Sequence, residues 1–295
     1  MRKVKVGIIG TGNIGTDILM KIQRSKYLEC GLFTGRNPES KGIEIAKSIG
    51  VKTSFDSIGA IEKNPECCEI VFDATSAKVH EYNAPILKRL NKFAIDLTPS
   101  KIGILCVPAI NLEESLNENN VNLITCGGQA TIPIAYVLSK VHPETKYIEI
   151  VASIAAKSAG AGTRNNIDEF TQTTKDALAE FTGIKNTKAI MTLNSAEPPI
   201  IMRNTIYAII DNPNINRIRE EVMVIVKKIQ KYVPGYKIIV EPVFENGRVT
   251  TTVEVEGLGD YLPKYAGNLD IITCAAIEIA ENYAKRKLMK VNINE

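Results

Sequence analysis

The sequence of 295 residues has no tryptophan, only two histidines and no long uninterrupted apolar run. Neither His80 nor His142 has a partner at metal-ligand spacing, so we expect no metal site. The longest apolar runs are strand-sized and fall short of the roughly 20 residues of a membrane helix. The chain opens directly on a strand-like segment without a secretory apolar region. These features favour a cytoplasmic protein without a membrane partner.

An excess of charge of one sign is also missing. The 36 Lys and Arg residues stand against 33 Asp and Glu residues, which leaves a net charge of +3. Duplex-binding proteins usually concentrate basic residues on one face, so nucleic acid is not an expected partner. The hydrophobic content of 44% excludes general disorder. At roughly 150 residues per domain, the length predicts two domains or one large domain.

The six cysteines are scattered and show no C-x-x-C spacing. In a chain of this size without a secretory signal, that pattern indicates reduced thiols and not a disulfide framework. Cys30, Cys106 and Cys274 lie among apolar residues, which is typical of inert core positions. The others are the adjacent Cys67 and Cys68, and Cys126.

The first 24 residues predict a dinucleotide-binding turn. The apolar run Val4–Ile9 predicts a buried parallel strand, Gly10 to Gly15 contains three glycines, and helical periodicity follows from Thr16 to Arg24. In a strand–turn–helix context, such glycines allow a tight turn, a close approach of backbone to pyrophosphate and close packing of helix on strand. An ordinary glycine-rich turn is the simpler alternative, and the flanking segments favour the cofactor.

The residues after the second predicted strand leave the choice of cofactor open. An acidic residue there would bind the adenosine ribose of NAD, but the sequence has Thr34-Gly35-Arg36-Asn37. Arg36 could accommodate the 2′-phosphate of NADP or be a solvated loop residue. Further along, small polar residues follow predicted strands at the edge where α/β sheets bind ligands: Thr75, Ser76, Thr98 and Pro99.

Cys126 has a different setting from the other cysteines. It follows a predicted strand and precedes Gly127 and Gly128, and Thr131 is the expected N-cap of a helix to about Val141. A helix N-terminus lowers the pKa of a nearby thiol, and backbone N–H groups around the glycines could stabilise an oxyanion. We therefore predict that Cys126 is a nucleophile.

A second loop of small residues spans positions 157–166, between a predicted strand and a helix over 167–182. Asn166 is its expected N-cap. The loop is either a flexible connection or a set of backbone donors which, with Arg164, converges on an anionic or amide group.

Six segments together carry a family resemblance: residues 12–17, 73–77, 95–99, 126–133, 158–164 and 266–271. In these segments the chain closely resembles the acylating acetaldehyde dehydrogenases that work beside 4-hydroxy-2-oxovalerate aldolase. The resemblance implies an α/β fold with an N-terminal Rossmann domain and an α+β domain like that of glyceraldehyde-3-phosphate dehydrogenase. The expected boundaries are 1–130 for the first domain, completed by a helix over 267–290, and 131–266 for the catalytic and dimerisation domain.

The resemblance also implies roles for individual residues. Cys126 would carry the acyl group, coenzyme A would be the co-substrate, and a homodimer and an aldolase subunit would be the partners. Nicotinamide-cofactor contacts are implied for Thr11, Gly12, Asn13, Ile14, Ser158, Ala159, Gly160, Ala161, Gly162, Thr163, Arg164, Asn165, Asn166 and Asn268. The chain departs from the family at Ala161, where proline is usual, and at Asn204, near which an assisting aspartate is expected.

Two other functions remain open at this point. A phosphorylating semialdehyde or acyl-phosphate reductase shares the fold and the cysteine but uses phosphate as acceptor. Such enzymes usually pair the cysteine with a histidine, for which neither His80 nor His142 is placed. The other alternative is a non-catalytic dinucleotide-binding redox sensor, in which the second glycine-rich loop has no evident use.

Overall fold

The computed structural model describes residues 3–160, 163–164 and 167–294, with side chains as far as residue 289. The chain forms two compact units. The first contains the residues up to Leu123 and those from Thr273 onward, and the second is Ile124–Ile272. Within the described ranges, no helix combines the length and the apolar character that crossing a bilayer would require.

The first unit is built on a parallel sheet of seven described strands in the order β3-β2-β1-β4-β5-β7-β6. Its central strands are fully buried, as expected for a parallel sheet. The strand order reverses between β1 and β4, and α/β sheets bind ligands beside such a reversal. The strands are Val4–Ile9 (β1), Leu28–Thr34 (β2), Thr53–Ser54 (β3), Ile70–Asp73 (β4), Phe93–Asp96 (β5), Ile104–Leu105 (β6) and Asn120–Asn122 (β7).

Helices connect these strands. The first of them buries Ile18, Leu19 and Ile22, which recur at helical spacing. Gly12 is its N-cap, so the helix begins three residues before the predicted Thr16. The helices are Asn13–Gln23 (α1), Lys41–Ser48 (α2), Ile58–Lys63 (α3), Ala77–Arg89 (α4) and Pro108–Ser115 (α5), with a 3-10 turn at Pro65–Cys67.

The second unit contains a mixed sheet in the order β11-β12-β10-β8-β9. Only β8 and β9 among the described neighbours run parallel, because a helix connects them. The strands are Tyr147–Ala155 (β8), Thr187–Asn194 (β9), Met202–Ile209 (β10), Tyr236–Glu245 (β11) and Arg248–Val255 (β12). The helices are Cys126–Val141 (α6), Ile167–Thr182 (α7) and Ile215–Gln230 (α8), and the last helix, Gly267–Asn294 (α9), continues into the first unit.

Burial alternates strictly along the central strands of this sheet. In β8, Ile148, Ile150 and Ala152 are buried, whereas Glu149 and Val151 between them are half-exposed. The buried face packs against α6. One face of the sheet therefore supports the helix that begins with Cys126, and the other face remains partly open.

Candidate active site

The β1–α1 turn has the geometry that a phosphate-binding turn requires. Gly10 has φ +113°, a conformation that L side chains rarely adopt, and a Cβ at Gly15 would lie 1.8 Å from the Gly10 carbonyl oxygen. A Cβ at Gly12 would meet nothing within 4 Å, so the space in front of α1 is open. The roles predicted for the three glycines are consistent with this geometry.

A cleft of about 770 Å³ lies beside this turn in the first unit. Its lining includes Thr11, Arg36 and Lys78, together with Thr75 and Ser76, two residues that sequence reasoning placed in the cofactor groove. Thr98 and Pro99, the other two, are buried and are not part of this lining. The cleft has the size of a small-molecule site and presents two cationic side chains.

A buried polar network holds the ends of β4 and β5. The Asp73 carboxylate accepts hydrogen bonds from Thr75 Oγ1 at 2.5 Å and from Asn83 Nδ2 at 2.8 Å, and its Oδ2 lies 2.9 Å from His80 Nδ1. Burial lowers the pKa of His80, but the hydrogen bond to Asp73 and the charge of Asp96 outweigh burial, and the net shift is upward. His80 thus holds the Asp73 carboxylate, whose other partners, Thr75 and Asn83, line the cleft.

In the second unit, Cys126 is the first residue of α6, where sequence reasoning expected a turn. Thr125 is the N-cap: its Oγ1 accepts a hydrogen bond from Gly128 N at 3.0 Å and lies 2.7 Å from Thr174 Oγ1. The prediction of Thr131 as the N-cap is therefore wrong; its hydroxyl donates to the Gly127 carbonyl within the helix. Ile124, just before the cap, has φ +63°, which is strained for a β-branched residue. Such strain is typical of functional sites and has no signature in the sequence.

The environment of the Cys126 thiol differs from the expected one. Cys126 is only 7% exposed, and burial raises its pKa to about 11, although the backbone N–H groups of Gly127 and Cys126 act in the opposite direction. The prediction of a lowered pKa is therefore wrong for this structure, because desolvation exceeds the effect of the helix terminus. The amides of Cys126 and Gly127 remain directed at the sulfur, whereas the Gly128 amide binds the cap.

The second small-residue loop folds back on itself. Ser158 Oγ donates to the Ala155 carbonyl at 2.8 Å, and Arg164 donates from Nε to Ala159 O and from Nη2 to Ala156 O. Arg164 thus fastens the loop, whereas one of the two interpretations of the sequence directed it toward an anionic or amide group. Gly160 is exposed and Thr163 half-exposed, while Ala161, Gly162, Asn165 and Asn166 lie outside the described residues.

Asn268, near the start of α9, is placed by a close backbone contact. A Cβ at Gly267 would lie 1.8 Å from the Val255 carbonyl oxygen, so only glycine lets α9 begin against β12. Asn268 is 1% exposed, and its side-chain oxygen has no hydrogen-bond partner. A buried acceptor without a donor is costly, and a carboxamide N–H of a nicotinamide would satisfy it. The open space at Gly12 in the first unit and the unpaired oxygen of Asn268 in the second are each, taken separately, compatible with a contact to a nicotinamide dinucleotide.

The side chain of Asn204, in the same unit, is also buried with unpaired polar atoms. It is fully buried in β10, and neither its oxygen nor its nitrogen has a hydrogen-bond partner. It pairs with Ala152 in β8, whose Cβ lies 3.5 Å from the position of a Cβ on Gly127. The register therefore places an unsatisfied amide next to the first turn of α6, a feature that sequence reasoning connected only with a missing aspartate.

The histidine of the second unit lies far from the cysteine. His142 is the C-cap of α6, and at about 1.5 Å rise per residue the helix separates it from Cys126 by roughly 24 Å. Its Nδ1 lies 2.6 Å from Glu144 Oε1, and its Nε2 accepts a hydrogen bond from Asn214 N. His142 therefore cannot act on the Cys126 thiol.

Comparison with known proteins gives a consistent result. Residues 126–263 match the family model described as "Prokaryotic acetaldehyde dehydrogenase, dimerisation". The chain is 53% identical to an acetaldehyde dehydrogenase of Geobacillus stearothermophilus, with 98% of each chain covered. It is 52% identical to an acetaldehyde dehydrogenase of Carboxydothermus hydrogenoformans, with 99% of this chain and 97% of the relative covered.

A solved structure supports the fold. The crystal structure of aspartate semialdehyde dehydrogenase II complexed with ASA from Vibrio cholerae matches with a TM-score of 0.62 over 95% of this chain and 98% of that chain, at 13% identity. At this identity the match establishes a two-domain fold like that of glyceraldehyde-3-phosphate dehydrogenase, as the sequence predicts. The near-complete coverage at about half identity establishes the family: the chain belongs to the acetaldehyde dehydrogenases.

Proposed function

We propose that this chain oxidises acetaldehyde, or a similarly short aldehyde, with NAD and coenzyme A to acyl-coenzyme A and NADH. The observation that carries the proposal is the placement of Cys126 at the N-terminus of α6, after the strained Ile124 and under two backbone N–H groups. The relatives are named acetaldehyde dehydrogenases, and these names support the aldehyde substrate.

In the proposed mechanism, the Cys126 thiol adds to the aldehyde: the S–H bond breaks, a bond forms between sulfur and the carbonyl carbon, and the proton ends on the oxygen of the resulting thiohemiacetal. The backbone N–H groups of Cys126 and Gly127 would stabilise the developing oxyanion, since they already point at the sulfur. When bound, a nicotinamide would supply the oxidising power for this step as a hydride acceptor, and the hydroxyl proton of the thiohemiacetal would pass to solvent. Cys126 then holds the acyl group as a thioester until the thiol of coenzyme A attacks it and releases Cys126.

The proposed contacts to the dinucleotide follow the family resemblance and are taken one unit at a time. In the first unit these are Thr11, Gly12, Asn13 and Ile14 at the α1 terminus, where N–H groups and the helix dipole favour a pyrophosphate. In the second unit they are Asn268 and the loop from Ser158 to Asn166. Arg36 and Lys78 in the cleft would also suit the 2′-phosphate of NADP, so the assay below compares both cofactors.

Neutral groups would assist Cys126 in this proposal. Asn204 cannot accept the thiol proton, since a carboxamide is not a base at any ordinary pH, but it could hydrogen-bond to the thiol or to the substrate oxygen. Glu197 and Asp211, the acidic residues nearest to Asn204 in the sequence, are exposed and paired with Lys157 and Lys146. We therefore assign Asn204 an orienting role.

Coenzyme A is preferred over phosphate as acceptor because the second unit places no histidine beside Cys126. The decisive experiment follows reduced nicotinamide by absorbance with acetaldehyde and either NAD or NADP, with coenzyme A, with phosphate, or with neither. We expect turnover that requires coenzyme A. Turnover with phosphate would assign the chain to the phosphorylating class, and cofactor binding without any reduction would favour a redox sensor.

The matched variants for this assay are Cys126→Ala and Cys274→Ala. Both remove a buried thiol. Cys126→Ala should abolish turnover and leave cofactor affinity unchanged, whereas Cys274→Ala should stay active if it folds. Strong residual activity of Cys126→Ala would overturn the assignment of the nucleophile.

We also propose that the chain forms a homodimer through its second unit, which contains the matched dimerisation region. A cytoplasmic location and a complex with a 4-hydroxy-2-oxovalerate aldolase are further proposals, which rest on the family resemblance. Co-purification of the tagged chain with a separately expressed aldolase subunit would test the complex.

A further inference from the structure

Cys67 and Cys68 form a pair of thiols that the proposed reaction does not use. They lie in the first unit, at the end of the 3-10 turn before β4, and their sulfur atoms are 3.7 Å apart. Both pack into an apolar cluster with residues such as Ile61 and Leu87. A Cβ at Gly7 would lie 2.9 Å from the Cys68 sulfur, so β1 has a glycine where a side chain would displace this thiol.

The geometry of the pair disfavours a disulfide. The Cα atoms of adjacent residues are about 3.8 Å apart, below the range of about 4.4–6.8 Å that disulfides usually span. The sulfurs would also have to approach to about 2.05 Å from their present separation. A single atom bonded to both sulfurs avoids this strain, because it requires no bond between them.

The surroundings favour a negative charge on one sulfur of the pair. The hydrogen bond from Cys68 lowers the pKa of Cys67 to about 7, against the effect of burial, and the charges of Lys92 and Lys52 act in the same direction as the hydrogen bond. The same hydrogen bond and burial raise the pKa of Cys68, which therefore stays protonated as the donor. Cys68 and Lys92 line a cleft of about 930 Å³, through which a small reagent can approach.

We propose that Cys67 and Cys68 are a second thiol site, which binds trivalent organoarsenicals and related soft electrophiles that bridge two sulfurs. Among the described residues, this pair belongs to no group of three His, Cys, Asp or Glu ligand atoms within 4.8 Å of one another. The fitting ligand therefore completes its coordination with its own substituent, as an organoarsenical does. In the reaction with R–As=O, two S–H bonds break, two S–As bonds form and the oxygen leaves with both protons as water. Arsenic stays trivalent and neither sulfur is oxidised.

Phenylarsine oxide is the probe for this site. The full-length chain is treated with phenylarsine oxide and then with either a monothiol, 2-mercaptoethanol, or a dithiol, dithiothreitol. Intact-protein mass spectrometry then measures the mass of each product. We expect one adduct that survives the monothiol and is removed by the dithiol. Cys67→Ser and Cys68→Ser should each lose it, whereas Cys106→Ser, which removes a buried single thiol of the same unit, and Cys126→Ala should retain it.

Peptide mapping of the wild-type adduct gives a second result that is independent of whether the variants fold. Arsenic bound to a peptide containing both Cys67 and Cys68 supports the proposal. An adduct on another peptide, no monothiol-resistant adduct on the wild type, or its persistence in folded Cys67→Ser and Cys68→Ser would each overturn it.

Discussion

Asn204 is buried in β10 with both polar atoms unpaired, which is a cost that folding alone does not explain. Leucine has a similar size and shape, so Asn204→Leu should leave the free energy of unfolding unchanged or raise it by about 1–3 kcal/mol, the penalty of an unsatisfied buried group. If the amide orients the thiol or the substrate, kcat/KM for the aldehyde should fall about tenfold or more, by analogy with the loss of an oxyanion donor. Chemical denaturation and steady-state kinetics measure the two effects.

The control for this change is Thr205→Val, on the opposite face of the same strand, where the hydroxyl lies 3.1 Å from Thr252 Oγ1. We expect it to leave kcat/KM unchanged. If Asn204→Leu loses stability and keeps its activity, Asn204 is a structural residue and the orienting role is wrong.

The raised pKa of Cys126 predicts a pH dependence of its reactivity. With a pKa of about 11, the thiol is protonated at neutral pH. The thiolate is the reactive form, so the rate of alkylation by iodoacetamide should rise about tenfold per pH unit between pH 7 and 9. Quantifying the labelled peptide that contains Cys126 measures the rate without interference from other cysteines. A plateau near neutral pH would mean that the helix terminus lowers the pKa more than burial raises it.

At the scale of elements, two glycines of the β1–α1 turn have different expected roles: Gly12 leaves space for a ligand, and Gly15 allows close packing. Gly12 has extended backbone (φ −81°) and open space at its Cβ, so Gly12→Ser should change the free energy of unfolding by only a few tenths of a kcal/mol, because serine is an equally good N-cap. The new side chain would occupy the space of the pyrophosphate, and NAD affinity should fall about tenfold or more.

Gly15→Ala is the contrasting variant in the same turn. Its Cβ would collide with the Gly10 carbonyl, so we expect a loss of about 1–3 kcal/mol or more in unfolding free energy. Thermal unfolding and calorimetric titration with NAD distinguish the two variants. Unchanged NAD affinity in Gly12→Ser would show that the cofactor does not approach this turn.

The elements also show how far sequence reasoning reaches. The apolar run at Val4–Ile9 and the helical pattern over 167–182 predicted β1 and α7 with the bounds that the structure has, because these signals are local. The predicted start of α6 was six residues too late, since Gly127 and Gly128 resemble a turn and the capping hydroxyl of Thr125 precedes them. The burial of Cys126 and the unpaired state of Asn204 depend on packing between segments that are distant in the sequence. A local sequence pattern does not predict such packing.

At the scale of the whole molecule, the alternation of the second sheet bears on assembly. Its covered face carries α6, while the other face presents half-exposed Val151 beside Thr205 of β10 and Ile190 of β9. An open, uncharged centre of this kind suits contact with a second protein chain. It lies within the residues that match the dimerisation model.

We therefore expect Val151→Glu to weaken the homodimer, because a carboxylate at the centre of the face would be buried without a partner in the assembled protein. The side chain already reaches solvent in the single chain, so the fold should persist. Val224→Glu is the matched control, since Val224 is 52% exposed on α8. Light scattering over a range of protein concentrations gives the mass of each variant. A dimer of Val151→Glu as stable as that of the wild type would mean that the subunits meet through a different surface.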